Sequence, residues 1–113
     1  MRKINSIFVY GTLQIGKQHE NILNELKGNW QKGYVYGKLT NINTGSDYGY
    51  PCLELNKNGS KIHGMVFNSK NLGKKIREID NFEGKNYHRV ISEVYLENGS
   101  KIKAYLYELK NNN

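Results

Sequence analysis

A chain of 113 residues has room for one core but not two, and its single cysteine, Cys52, excludes an internal disulfide. Hydrophobic residues make up 37% and aromatics 12%, which fits a folded domain, and no apolar run approaches the ~18 residues a membrane span needs. The net charge of +7 raises nucleic acid or an anionic surface as a partner, but the lysines that carry it are scattered. Lys57 and Lys61 flank one turn, Lys101 and Lys103 flank another, and Lys74 and Lys75 fall on a predicted helix. Neither a zinc-ligand spacing nor a ribonucleoprotein-type aromatic motif accompanies them, so nucleic acid is the weaker reading. The opening "MRKINSIFVYG" is basic, but its apolar run is too short for a signal peptide. The expectation is a cytoplasmic protein in a reducing compartment.

In chain order, "SIFVY" (Ser6–Tyr10) predicts a buried strand that stops at Gly11. "HENILNELKG" (His19–Gly28) sets Ile22, Leu23 and Leu26 on one helical stripe ended by a glycine. "WQKGYVYGKLTNI" alternates Tyr34, Tyr36 and Lys38 against Val35 and Leu39, the period of a strand. "NTGSDYGYP" (Asn43–Pro51) is a glycine-rich loop of functional length. "CLELNKNGSKIHGMVF" and "SEVYLENGSKIKAYLY" each place Asn-Gly between apolar runs and predict two hairpins. Between them, "SKNLGKKIREIDNFEG" (Ser69–Gly84) spaces Leu72, Ile76, Ile79 and Phe82 three or four apart, a helix that Ser69 or Asn71 can cap. The fold class is α+β, one or two helices on a small sheet of about six strands that curls into a barrel to close its edges. A single domain is expected over residues 1–109, with "KNNN" (residues 110–113) as a disordered tail.

Two stretches can carry chemistry. In "VYGTLQIG", Gly11 and Gly16 resemble a phosphate loop, but Gln18 stands where the hydroxyl is needed. A glycine turn at a strand end can still form a nest of N–H donors for a smaller anion, or be an ordinary turn. In "IDNFEGKNYHR", Glu83 falls where the apolar stripe ends and Gly84 stops the helix. A carboxylate beside the core is poorly solvated and suited to take and return a proton; a solvated helix-end acid paired with Lys85 or Arg89 fits the same spacing. Tyr87 and Arg89 position a ligand or anchor the loop. His19, His63 and His88 lack metal-ligand spacing, and Cys52 has no base nearby in sequence. Asp80 caps or pairs locally.

Taken together, "FVYGTLQIG", "GYVYGKLTNINTGSDYGYP", "IDNFEGKNYHR" and "KAYLY" resemble, in order, segments of the gamma-glutamylcyclotransferase-like family, in the short bacterial branch related to gamma-glutamylamine cyclotransferase and AIG2-like proteins. The resemblance implies a mixed β-barrel with helices packed outside and one cavity. It implies that the turn Tyr10, Gly11, Thr12 and Leu13 holds the α-carboxylate of a γ-glutamyl group, with substrate contacts from Tyr50, Tyr87 and Arg89. Glu83 is then the acid–base in a cyclisation that yields 5-oxoproline and a free amine, without metal or other cofactor. Its partner is a small γ-glutamyl substrate. The alternative is a catalytically silent member that binds a small carboxylate ligand or a protein.

Overall fold

The apolar run that opens the sequence forms β1, Ser6–Val9, and every residue of it is buried. A strand with both faces covered reads as continuous hydrophobicity rather than alternation. The computed structural model describes residues 4–10, 23–41, 51–83 and 87–109. β1 lies between β4 (Ser60–Asn68), antiparallel, and β6 (Lys101–Leu109), parallel. β5 (Tyr87–Leu96) pairs antiparallel with β6, and β2 (Asn29–Asn41) pairs antiparallel with β4. A short β2–β5 pairing at Gly33 and Tyr34 closes the ring β2-β4-β1-β6-β5. The result is a closed five-stranded mixed barrel, with β3 (Pro51–Leu55) as a further strand on β2.

Alternation on β1 sends its residues into two cores. Phe8 points inward with Val35, Leu53, Val66, Val94, Leu96, Ala104 and Leu106, and Tyr10 packs against them. Ile7 and Val9 point outward to Leu23, Phe67, Leu72, Ile79 and Tyr107. The outer core is where helical segments cover the barrel. Of the helix predicted over His19–Gly28, residues 19–22 lie outside the described part; Leu23 and Asn24 are helical, and the chain turns immediately after them.

The helix predicted over Ser69–Gly84 is two pieces, a 3₁₀ turn at Leu72–Lys74 and α1 at Ile76–Glu83. Of the two candidate caps, Ser69 makes the bond: its Oγ accepts the Asn71 N–H at 3.1 Å and donates to the Lys27 carbonyl at 2.6 Å. The Asn71 side chain makes no capping bond. Leu72 and Ile79 are fully buried, as the stripe requires. The Phe82 side chain lies outside the described residues.

One of the two predicted hairpins forms. β5 and β6 reverse at Asn98-Gly99, where Gly99 has φ +90°, a conformation open chiefly to glycine. The other does not. β3 and β4 run the same way, end to end along β2, and residues 56–59 loop out between them at Gly37. The Asn56 N–H donates to the Tyr36 carbonyl, and a Cβ on Gly59 would stand 2.4 Å from the Gly37 oxygen. The Asn-Gly pair builds the tight bend in both places, but β2 is long enough to take both β3 and β4, and its pairing overrides the reversal.

Candidate functional site

Described residues of three of the four segments singled out in the sequence, Tyr10, Asp80 with Arg89, and Tyr107, meet at the C-terminal end of β6. Tyr10 follows β1 with its ring inside the barrel, stacked on Phe8 at 6.3 Å. Its hydroxyl donates to the Tyr107 carbonyl at 2.6 Å and accepts the Leu53 N–H at 3.2 Å. One oxygen thus ties β1 to β6 and β3. Just before Tyr10, β4 packs closely on β1 at Gly64: a Cβ there would stand 2.4 Å from the Val9 carbonyl and 2.7 Å from the Phe8 ring.

Next along β6, Glu108 fixes β3 again. Its Oε2 accepts the Leu55 N–H at 2.8 Å, and its Oε1 lies 3.1 Å from His88 Nε2 on β5. β3 therefore gains its contact with β6 through the side chains of Tyr10 and Glu108. Pro51, the first residue of β3, pairs with Asn41 on β2.

The third segment attaches through Asp80, one helical turn before Glu83. Asp80 Oδ1 accepts the Tyr107 hydroxyl, and Oδ2 accepts Arg89 Nη1 at 3.0 Å. The Arg89 guanidinium also lies over the Tyr105 ring, 4.9 Å from its centroid. A continuous chain of contacts thus runs Tyr10–Tyr107–Asp80–Arg89. The Asp80 and Arg89 side chains are 38% and 32% exposed, so the pair itself contributes only about 0–1 kcal/mol to stability.

Among the predicted site residues, Tyr10 and Arg89 are joined by this chain. Tyr87 packs half-buried against the outer core at the start of β5. Gly11, Thr12, Leu13 and Tyr50 lie outside the described residues. Glu83 is the last residue of α1, and its side chain also lies outside them. Sequence reasoning missed Tyr107 and Glu108 as the hub and expected Asp80 to cap or pair locally, whereas its hydroxyl donor is 27 residues away. The signal available was the closing strand "KAYLY", whose last tyrosine is the hub residue.

Elsewhere, titration is perturbed at surface ion pairs. Bonding to Glu25 raises Lys75 above its ordinary value, Lys101 lowers Glu93, and Glu93 in turn raises Lys101. A groove of about 740 Å³ opens on the barrel wall, lined by Tyr36, Leu55, Lys57, Ile91, Tyr95 and Lys101 among others. Of the candidate site residues that are described, Tyr10, Tyr87 and Arg89, none lines it. Among the described residues, no group of three or more His, Cys, Asp or Glu is placed to hold a metal ion, and no helix is long and apolar enough to cross a membrane.

Comparison with known proteins agrees with this architecture. An AIG2-like protein from Mus musculus superposes with a TM-score of 0.72 at 21% identity, covering 99% of this chain and 81% of that one. A solution structure from Arabidopsis thaliana gives 0.70 at 24% identity, covering 95% and 69%. YkqA from Bacillus subtilis gives 0.71 at 22% identity over 96% of this chain, which spans only 36% of YkqA. No curated protein matches the sequence. The family model described as "Gamma-glutamyl cyclotransferase, AIG2-like" matches residues 7–113. With that match over nearly its whole length, and the barrel those structures share, the chain belongs to the AIG2-like gamma-glutamyl cyclotransferase family.

Proposed function

We propose that this protein cyclises a γ-glutamyl amide to 5-oxoproline and releases a free amine or amino acid. What supports the reading is the contact chain Tyr10–Tyr107–Asp80–Arg89, which brings Tyr10 and the last turn of α1 to the same end of β6. The family includes cyclotransferases, which fits the same reading.

In this reading, backbone N–H groups of the turn Tyr10–Leu13 hold the substrate α-carboxylate. Tyr10 contributes as the anchor of that turn, since its hydroxyl bonds β3 and β6. Tyr50 and Tyr87 border the substrate. Holding the α-carboxylate brings the α-amine within reach of the side-chain carbonyl, a near-attack geometry for a five-membered ring. The amine is an ammonium near neutral pH, so the Glu83 carboxylate first accepts its proton. The freed nitrogen attacks the γ-carbonyl carbon, the new C–N bond forms, and the old amide C–N bond breaks. Protonated Glu83 returns that proton to the departing amine, and the regenerated carboxylate takes the second proton of the attacking nitrogen and passes it on, so the amine leaves as an ammonium and Glu83 ends the cycle unchanged. Nearby N–H donors stabilise the carbonyl oxygen as it gains charge.

The test is 5-oxoproline release from a panel of γ-glutamyl amino acids, γ-glutamyl-ε-lysine and simple γ-glutamyl amines. The expected result is turnover of at least one substrate, lost by about 10²–10⁴-fold in Glu83→Gln with ligand affinity retained. Full activity in Glu83→Gln refutes the assignment of Glu83. Binding of a γ-glutamyl ligand without turnover by the wild type makes the protein a silent carboxylate-binding member.

A further inference from the structure

We infer that Asp80 is a positioning residue: with Tyr107 and Arg89 it clamps the last turn of α1 against β5 and β6, and thereby fixes Glu83. The inference rests on the proposed role of Glu83, which it extends to residues that touch no substrate.

The argument starts from the helix. α1 has only eight residues, too few to hold a helix in water by itself. Its beginning is secured by the burial of Leu72 and Ile79 and by Lys75, which bonds Glu25 and lies 3.7 Å from Glu78. Its far end leads into residues 84–86 and then β5. The side-chain ties described for that end run through Asp80, and they reach two different strands. The Tyr107 hydroxyl comes from β6 and the Arg89 guanidinium from β5. Two donors on the two oxygens of one carboxylate fix both its position and its rotation, as one bond does not. The guanidinium also lies over the Tyr105 ring. The same Tyr107 accepts the Tyr10 hydroxyl at its carbonyl. Displacement of Tyr107 therefore reaches Tyr10 and the Glu83 helix together, so both are set by one residue of β6.

This arrangement makes Arg89 a partner of Asp80 in the first place. It also separates two kinds of ion pair. Lys75–Glu25 and Asp80–Arg89 are both partly exposed, yet only the second stands within a turn of Glu83. Misplacement of a reacting group by about 1 Å lowers turnover by as much as ~10²-fold, far beyond what a surface pair contributes to folding.

The experiment compares Asp80→Asn, Tyr107→Phe, their double variant and Glu25→Gln with the wild type, all well below their melting temperatures. kcat and KM are measured on the substrate found active, and amide hydrogen exchange is followed at residues 81–83. Asp80→Asn and Tyr107→Phe are expected to lower kcat by roughly 10–10²-fold with KM within about twofold. Their losses are expected to be non-additive in the double variant, because they break one network. Exchange at 81–83 speeds up, while Glu25→Gln leaves kcat and that exchange unchanged. Wild-type kcat with wild-type exchange at 81–83 in Asp80→Asn overturns the clamp. So does a loss of activity that only follows the folded fraction. If the wild type turns over no γ-glutamyl substrate, the cyclotransferase reading falls by itself. The clamp is then judged on exchange at 81–83, which supports it if faster in Asp80→Asn and overturns it if unchanged.

Discussion

Tyr10 shows how much one side-chain oxygen can organise. It replaces strand pairing where β3 meets β6, by donating to the Tyr107 carbonyl and accepting the Leu53 N–H. Tyr10→Phe keeps the ring on Phe8 but removes both bonds, and stability should fall by about 1–3 kcal/mol, the penalty for depriving a buried polar group of its partner. Urea denaturation measures this, and a midpoint equal to the wild type would show that the hydroxyl bears no structural load. Gly64 on β4 packs against the two residues before Tyr10, Phe8 and Val9. In Gly64→Ala the new Cβ would meet the Val9 carbonyl, a backbone atom that cannot swing away. The expected loss is on the order of 1–3 kcal/mol, typical of overpacking, with weaker binding of a γ-glutamyl ligand because Val9 leads into the turn. Isothermal calorimetry with such a ligand checks the second half of that expectation.

Among the elements, α1 depends most on its surroundings. It borrows its stability from Ile79, which is fully buried in the outer core. Ile79→Ala should cost about 2–5 kcal/mol through lost burial and the cavity left behind, read from thermal unfolding. The comparison with Asp80 is informative: Asp80→Asn removes a partly exposed ion pair and should change stability by no more than about 1 kcal/mol. If the Asp80 variant melts as low as the Ile79 variant, the carboxylate is structural rather than positional. The β5–β6 hairpin is held in a different way, by its turn. Gly99→Ala forces a side chain into φ +90°, and a loss of about 1 kcal/mol or slightly more is expected.

For the molecule as a whole, β1 makes the two cores one cooperative unit. Phe8 belongs to the inner core and Ile7 and Val9 to the outer, so neither can melt while β1 stays in place. Trp30 reports on the outer core, with its ring 4.9 Å from Phe67. Its fluorescence and the far-ultraviolet dichroism of the barrel are expected to change together, in a single two-state transition. Two separated transitions would mean that the helical layer comes away first. The charge of +7 acts at this scale too. Each described ion pair is at least partly open to solvent, so electrostatics contributes little to holding the fold and burial contributes most.

The sequence by itself determined the local elements, because period and turn chemistry act over a few residues. The buried strand before Gly11, the alternation of Tyr34 and Tyr36 against Val35, the apolar stripe Leu72–Ile79 and the hairpin at Asn98-Gly99 follow from such spacing. The order of the four motif segments was also legible, and with it the family and the barrel. Which strand pairs with which was not. An Asn-Gly bend looks the same whether the chain reverses, as at Gly99, or runs on along a longer neighbour, as at Gly59, and only the length of β2 decides between them. Leu39 shows the same limit: it shares the phase of Val35, which is buried, yet it is 46% exposed where β2 extends past the ring to meet β3. The hub at Tyr107 and Glu108 was likewise invisible. Its bonds reach β1, β3, α1 and β5 across long stretches of chain, and local spacing carries no information about contacts made by closing a barrel.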